Sequence, residues 1–281
     1  MKILLIGAQG QVGWELARRL PALGAVTATD RTTLDLADLD AIREAVRAAR
    51  PEVIVNAAAH TAVDKAESEP QLAMTINGDA PGILGEEAAR ARALLVHYST
   101  DYVYDGEKAA AYVETDAPNP VSAYGRSKLA GERAIAASGC RHLILRTSWV
   151  YAPRGRNFLL TILKAARERP ELKVVDDQFG APTSSALIAE ATRQAISTGR
   201  GQGIYHLSAA GRTSWHGFAQ AIVEGAGLTT PVRPIPSSDY PTPARRPRNS
   251  VLDNSKLKSE LGIALPDWRD GLREVLPQVL R

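Results

Sequence analysis

The chain has 281 residues, 44% of them hydrophobic and 23% charged, enough to bury a large core and to build one substantial domain with a smaller addition. Its 34 basic and 31 acidic residues leave a net charge of +3, too balanced for a nucleic-acid partner, and no basic run is interleaved with aromatics. The single cysteine, Cys140, cannot close an internal disulfide, which predicts a reducing, cytoplasmic compartment; the N-terminal apolar run stops at Gly7, too short for a signal-peptide core, and no segment is expected to span a membrane.

Lys2-Ile3-Leu4-Leu5-Ile6 is a nearly continuous apolar strand that runs into Gly7-Ala8-Gln9-Gly10-Gln11-Val12-Gly13 and then into a helical pattern through Leu20. Strand, glycine turn and helix is the context a dinucleotide-binding fingerprint requires. Gly7 allows the tight turn, Gly10 a close approach of backbone amides to a pyrophosphate, and Gly13 close packing of helix on sheet, with the helix N-terminus facing the anion. The spacing is G-x-x-G-x-x-G, not the G-x-G-x-x-G of most dehydrogenases. A second strand, Ala25 to Thr29, ends at Asp30, where a carboxylate either accepts hydrogen bonds from an adenosine ribose or closes a turn. Asp30 favours NAD by repelling a 2′-phosphate, while Arg31 beside it neutralises that phosphate, so both cofactors stay open.

After Asp35-Leu36, a helix over about 38–49 leads to a third strand, Val53-Ile54-Val55-Asn56. The small residues Ala57-Ala58-Ala59 follow, leaving space for a cofactor's backbone and ribose, and then His60-Thr61. His60 by itself reads as a polar loop residue, and Asp64-Lys65-Ala66-Glu67 as solvated surface. A long helical region from 71 to 92, bent near Pro81, carries Asn77 close to apolar neighbours. Asn77 is either a satisfied core amide or part of a water relay behind Lys128.

A fourth strand, Leu94 to Tyr98, ends at Ser99-Thr100-Asp101. Ser122-Ala123-Tyr124-Gly125-Arg126-Ser127-Lys128 then opens a helix that runs to Ser138 and stops at Gly139. With Ser122 as its cap, Tyr124 and Lys128 stack on one face with their polar tips within reach. A neighbouring ammonium favours the ionised phenol, and the Thr100 hydroxyl completes a cradle for a carbonyl oxygen that becomes an alkoxide. Alone, Tyr-x-x-x-Lys reads as a surface pair; the glycine turn upstream gives it its meaning. A fifth strand, Leu143 to Arg146, delivers Thr147-Ser148-Trp149, and strands alternating with helices at this rhythm predict an α/β, Rossmann-type doubly wound parallel sheet.

Beyond Trp149 come a loop, a helix to about Arg169, a short strand from Lys173 to Val175, a loop over 176–183, a helix from Ser185 to Ser197 and a strand from Ile204 to Leu207. Residues 1–150 are expected to form the dinucleotide-binding domain, with 183–207 returning to it, and 151–182 with 208–281 a smaller C-terminal α/β substrate domain. The proline-rich stretch Pro231 to Pro247 ends in Arg245-Arg246-Pro247-Arg248. That end is an exposed basic turn or, through the forked donors of its guanidinium groups, a grip for a diphosphate.

Gly7-x-x-Gly10-x-x-Gly13, Thr100 and Tyr124-x-x-x-Lys128 match the pattern of the extended short-chain dehydrogenase/reductase superfamily. Gln11 to Leu16, Asn56 to Asp64, His97 to Val103, Arg146 to Tyr151, Gly180 to Thr183, Tyr240 to Ala244 and Arg246-Pro247 resemble, nearly end to end, the dTDP-4-dehydrorhamnose reductase family within it. The resemblance implies hydride transfer from NADPH or NADH to the C4 ketone of dTDP-4-dehydro-L-rhamnose, in dTDP-rhamnose biosynthesis. It implies that Tyr124 donates the proton, that Lys128 holds the nicotinamide ribose and lowers the phenol's pKa, and that Thr100 positions the oxygen. By the same matching Gly10, Gln11, Val12, Asp30, Asp35, Leu36, Ala57, Ala59, His60 and Thr61 line the cofactor, Asp101 and Trp149 meet the sugar nucleotide, and Arg246 contacts its diphosphate. Some family members dimerise through Mg²⁺ held by acidic residues; Glu15 would take part, but no full ligand set is identifiable, so no metal is predicted and a homodimer stays open. Two further readings share these residues. One is a sugar-nucleotide epimerase or dehydratase of the same superfamily, which retains its cofactor; the other is a non-catalytic regulatory subunit resembling that of methionine adenosyltransferase, against which Thr100, Tyr124 and Lys128 weigh.

Overall fold

The computed structural model describes residues 1–280. β1 (Lys2–Ile6) lies between β2 (Ala25–Thr29) and β3 (Val53–Asn56), and the sheet continues through β4 (Leu94–Thr100), β5 (Arg141–Thr147) and β6 (Gly203–His206). All six strands are parallel, in the order β6-β5-β4-β3-β1-β2, which is the doubly wound Rossmann-type sheet expected from the alternating elements. The winding reverses between β1 and β3, so the crevice at their carboxyl ends is the switch point where such sheets bind ligands.

Period-two side-chain alternation divides the core into two layers. Ile3, Leu5, Val53, Val55, Val96 and Leu145 pack with Leu16 of α1 (Gln11–Arg19). Leu4, Ile6, Ile54, Leu95 and Ile144 pack on the other face with Ile42 and Val46 of α2 (Leu39–Ala49), Leu84 of α3 (Ala80–Ala91) and Ile135 of α4 (Ala123–Ala137). Ile188 of α5 (Ser185–Thr198) joins the first layer beside α1. A third cluster, including Tyr151, Leu159, Leu163, Phe218, Ile222 and Trp268, draws on the chain after β5.

Helix starts follow the capping chemistry of the sequence. The Asp38 carboxylate accepts from the Ala41 amide at 2.9 Å, and the Ser122 hydroxyl accepts from the Gly125 amide at 3.1 Å. The irregularity expected near Pro81 is a wide π-turn at Thr75–Asp79, directly before it. Pro81 has no N–H to bond back into that turn, and the widened turn delivers Asn77 to its partners. The proline-rich stretch contains a strand, Val232–Ile235, paired in parallel with Leu172–Val175; a two-stranded sheet is all edge, so Pro234 is tolerated there. No helix among the described residues is long and apolar enough to cross a membrane.

Candidate active site

The chain leaves β1 at Gly7, whose φ of +85° is open to glycine without strain. The amides of Gly7 and Ala8 both donate to the Thr29 carbonyl, at 2.9 and 2.8 Å, which ties the turn to β2. Gly10 caps α1 with no side chain bonded to the first-turn amides, so these donors are available to an anion. A Cβ at Gly13 would lie 2.0 Å from the Gly7 carbonyl oxygen, whereas one at Gly10 would lie 3.3 Å from it. Gly13→Ala should therefore push α1 off the turn and destabilise the fold by about 1–3 kcal/mol in urea unfolding, and Gly10→Ala by clearly less. Equal stability of the two variants would refute this packing account.

The turn opens into a cleft of about 800 Å³ at the switch point, a size ordinary for small-molecule sites. Gly7, Gly10, Gln11, Val12, Asp30, Asp35, Leu36, Ala57, Ala59, His60 and Thr61 all line it, as do Thr100, Asp101, Tyr124, Lys128 and Trp149. Gly13 lies beneath the turn and does not line the cleft. Asp30 does close a turn: its Oδ1 accepts from the Thr32 amide at 2.9 Å and the Thr32 hydroxyl at 2.7 Å, which hold the carboxyl below its usual range. Asp30 and Arg31 also border the cleft, so the turn role and a ligand role are compatible. Glu15 is committed to a salt bridge with Arg19.

Buried polar atoms without a partner in the chain gather here. His60 Nδ1, Ser99 Oγ, Asp101 Oδ2 and Thr147 Oγ1 belong to cleft-lining residues, and each unpartnered buried group costs about 1–3 kcal/mol. This donor and acceptor set, the uncapped helix start and the glycine cradle fit a dinucleotide and a polar co-substrate.

Thr100 ends β4, and its hydroxyl accepts from the Tyr102 amide and donates to Asp101 Oδ1, both at 3.1 Å. Burial pushes the Tyr124 phenol above its ordinary range; a hydrogen bond with Thr100 partly offsets this, and the Asp101 charge adds to it. The net shift of the phenol is thus upward, and burial is its largest cause. Lys128, 2% exposed, donates to the Tyr98 carbonyl at 2.6 Å and lies 3.2 Å from His97 Nε2, because a buried ammonium needs acceptors. Burial brings Lys128 itself down to about 8, against Glu132, which favours its charge. The phenol stays neutral, the form a proton donor needs.

Burial also raises Asp101 to about 6 from the ordinary 3.8, opposed by the nearby Ser250 hydroxyl and by the hydrogen bond from Thr100. A raised folded-state pKa means that the fold holds this proton more tightly than the unfolded chain. The resulting stability is present below about pH 4 and lost as pH rises through about 6. Asp101→Asn, which stays neutral, should therefore gain on the wild type between about pH 4 and pH 7, by up to about 3 kcal/mol at roughly 1.4 kcal/mol per unit. Urea unfolding at the two pH values checks this; a pH-independent difference would refute it.

Asn77 finds its partners within the chain. Its Oδ1 accepts from the His60 amide at 2.8 Å, and its Nδ2 donates to the His60 carbonyl and the Ser127 hydroxyl at 3.0 Å each. These three bonds clamp the His60 loop to α4. The residues behind Lys128 are His97 and Asn56, which sequence reasoning missed; a histidine inside the apolar run of β4 was the signal. Trp149 holds φ +50°, a conformation costly for a non-glycine residue. Its indole stacks on Trp215, centroids 3.5 Å apart and planes 6° apart, and lies so close to Gly180 that a Cβ there would meet the ring at 2.5 Å. Trp215, far along the chain, was also missed. Arg246 is not among the residues lining the cleft; its fork engages Asp64, at 3.1 Å to Oδ1 and 2.8 Å to Oδ2.

A doubly wound sheet that presents an open glycine turn and a Thr, Tyr and Lys cluster at one switch point belongs, as a class, with the extended short-chain dehydrogenases/reductases. Comparison with known proteins narrows the class. The chain belongs to the dTDP-4-dehydrorhamnose reductase family: the family model described as RmlD substrate binding domain matches residues 1–281. It is 52% identical over 285 residues to the dTDP-4-dehydrorhamnose reductase of Burkholderia thailandensis, covering 96% of each chain. The crystal structure of a Clostridium acetobutylicum dTDP-4-dehydrorhamnose reductase superposes with a TM-score of 0.97 at 38% identity over 100% of both chains. That of the Bacillus anthracis reductase, solved in complex with NADP, gives 0.94 at 33% identity over 99% of this chain and 100% of that one.

Proposed function

We propose that this protein reduces the C4 ketone of dTDP-4-dehydro-L-rhamnose to dTDP-L-rhamnose, using NADPH or NADH, in the cytoplasm. The observation that carries the reading is the meeting of Thr100, Tyr124 and Lys128 in the cleft that the glycine turn opens, in a chain so close to named reductases. Gly7, Gly10, Gln11 and Val12 would seat the pyrophosphate over the close packing that Gly13 allows, and Asp30, Asp35 and Leu36 the adenosine end. Ala57, Ala59, His60, Thr61 and Lys128 would hold the nicotinamide half. An ionised Asp30 beside the exposed Arg31 supports use of either dinucleotide.

The bound nicotinamide supplies a hydride for the carbonyl carbon, and the chain supplies everything else. Tyr124, kept protonated by burial, gives its proton to the carbonyl oxygen as charge develops there, so ketone, hydride and proton sum to the alcohol. Thr100 holds that oxygen, and Asp101 and Trp149 orient the sugar. The residues outside the sheet layers, 151–182 and 208–280, would form most of the sugar-nucleotide side of the cleft.

The test is purified protein offered dTDP-4-dehydro-L-rhamnose with each reduced dinucleotide, following loss of nicotinamide absorbance and formation of dTDP-L-rhamnose. Stoichiometric oxidation supports the reading. No oxidation, or an isomeric product formed without net consumption of the dinucleotide, overturns it.

A further inference from the structure

Trp149 stands two residues beyond β5, at the wall of the cleft. Its main chain is pinned: the carbonyl accepts from the Thr183 amide at 3.2 Å, and Val150-Tyr151 pairs in parallel with Thr183-Ser184. Its φ of +50° takes the side chain out of strand alternation. The indole, on its two rotatable bonds, is then held by what meets its faces. One face lies against Trp215, with centroids 3.5 Å apart and planes 6° apart, an almost complete overlap of the two rings. A Cβ at Gly180 would lie within 2.5–2.9 Å of Cε2, Nε1 and Cδ2 of the same indole, which places Gly180 over a face as well. Two groups cannot share one face at such distances, so Gly180 covers the opposite one. Free aromatic rings prefer an offset or edge-on arrangement to full overlap, so this stack is imposed by its surroundings. Trp215 is buttressed by Phe158, 4.6 Å away and tilted by 44°, and Phe158 stacks at 5.6 Å on the fully buried Phe218. Neither face of Trp149 is open to a sugar ring; only the rim of the indole can meet a ligand.

We propose that Trp215 is a positioning residue for the sugar-nucleotide side of the cleft: by pressing Trp149 against Gly180, it turns the rim of that indole, rather than a face, toward the sugar. The proposal rests on the reductase reading for the identity of this ligand. A rim contact is sensitive to placement. A ring face lets a sugar slide across it and keep its dispersion contacts, whereas a rim offers one N–H donor, and a hydrogen bond weakens steeply once its angle falls below about 120°. Removing the Trp215 ring takes away one wall of the slot and leaves the main-chain tether of Trp149 intact. It also leaves the start of the helix Trp215–Gly225, where the Ser214 hydroxyl accepts from the Gly217 amide at 3.0 Å. Trp149 then has room to swing off Gly180, and the sugar nucleotide has to order it again on binding. Ordering one such side chain lowers affinity by up to about tenfold. The dinucleotide, seated by the glycine turn, does not need the indole. A role confined to packing would instead lower stability and weaken both ligands alike.

The test is fluorine nuclear magnetic resonance on protein labelled with fluorotryptophan, whose four lines report Trp14, Trp149, Trp215 and Trp268. The Trp149 line is assigned by its loss in Trp149→Phe. In the free protein it should be displaced by the ring current of the stacked partner. Trp215→Leu should return the line toward the position of free fluorotryptophan and broaden it. The same variant should raise KM for dTDP-4-dehydro-L-rhamnose about tenfold and leave the dissociation constant of NADPH within about twofold. Trp215→Phe, which keeps a ring against the indole, should restore most of both. A Trp149 line or a sugar-nucleotide KM unmoved by Trp215→Leu, or a loss of NADPH affinity as large as the rise in KM, overturns the proposal. If Trp215→Leu does not fold, Gly180→Ala decides: its methyl group pushes the same indole from the opposite face with Trp215 in place, and it should move the line and raise KM likewise. An unchanged line in that variant overturns the clamp. Absence of turnover on the sugar nucleotide would leave the fluorine lines readable, so failure of the two readings can be told apart.

Discussion

Replacing Tyr124 by phenylalanine is expected to lower kcat by about 10²–10⁴-fold while leaving dinucleotide affinity and stability almost unchanged. The magnitude follows from what is removed. The ring keeps its packing, including the edge contact with Tyr102 at 5.5 Å and 75°, so the cleft retains its shape. Only the hydroxyl is lost, a single neutral hydrogen bond worth about 0.5–1.5 kcal/mol. Without it no group on α4 other than Lys128 can protonate the nascent alkoxide, and Lys128 is turned toward Tyr98 and His97. Steady-state kinetics with NADPH, paired with a fluorescence titration of the same dinucleotide, separates the two effects. Undiminished kcat would remove Tyr124 as the acid; loss of dinucleotide binding in parallel would mean that the phenol serves the cofactor instead.

What the sequence discloses about this site is its local part. The glycine turn follows a clean strand, Ser122 caps the helix that carries Tyr124 and Lys128, and Thr100 terminates an apolar run; each is a signal contained within about ten residues. What it conceals depends on register and on the packing of distant segments. Asn56 and His97 become neighbours only because β3 and β4 pair in one particular parallel alignment, which no local pattern encodes. Trp215 reaches Trp149 from a helix far along the chain, and Asp64, which reads as solvated surface, pairs with the Arg246 guanidinium 182 residues on. Spacing along a helix reports that Tyr124 and Lys128 share a face but not how deeply both are buried, and burial is the largest cause of the shift at each.

The same helix is fixed to the sheet by a buried ion pair, and breaking it should have the largest effect on stability of any substitution considered. Glu132 and Arg146 are 3% and 1% exposed. They meet as a two-pronged pair, Nε to Oε1 at 2.9 Å and Nη2 to Oε2 at 2.6 Å. Nη1 continues to the Tyr104 hydroxyl at 2.6 Å, and that hydroxyl contacts His206 Nε2 at 2.9 Å, so α4, β5 and β6 are joined in one row. Glu132→Leu leaves a guanidinium without its counter-charge among apolar side chains and is expected to destabilise the fold by about 3–5 kcal/mol, a large part of the roughly 5–15 kcal/mol that holds a typical domain together. The double variant Glu132→Leu with Arg146→Met removes both charges at similar volume and should recover most of that loss, because burying the pair costs nearly what its attraction returns. Urea unfolding of the wild type, both single variants and the double variant closes the cycle. Additive losses would mean that the two side chains act independently. A cost below about 1 kcal/mol for Glu132→Leu would mean that Arg146 finds water or another acceptor, and that packing of α4 on β5 rather than this pair sets the position of Tyr124 and Lys128.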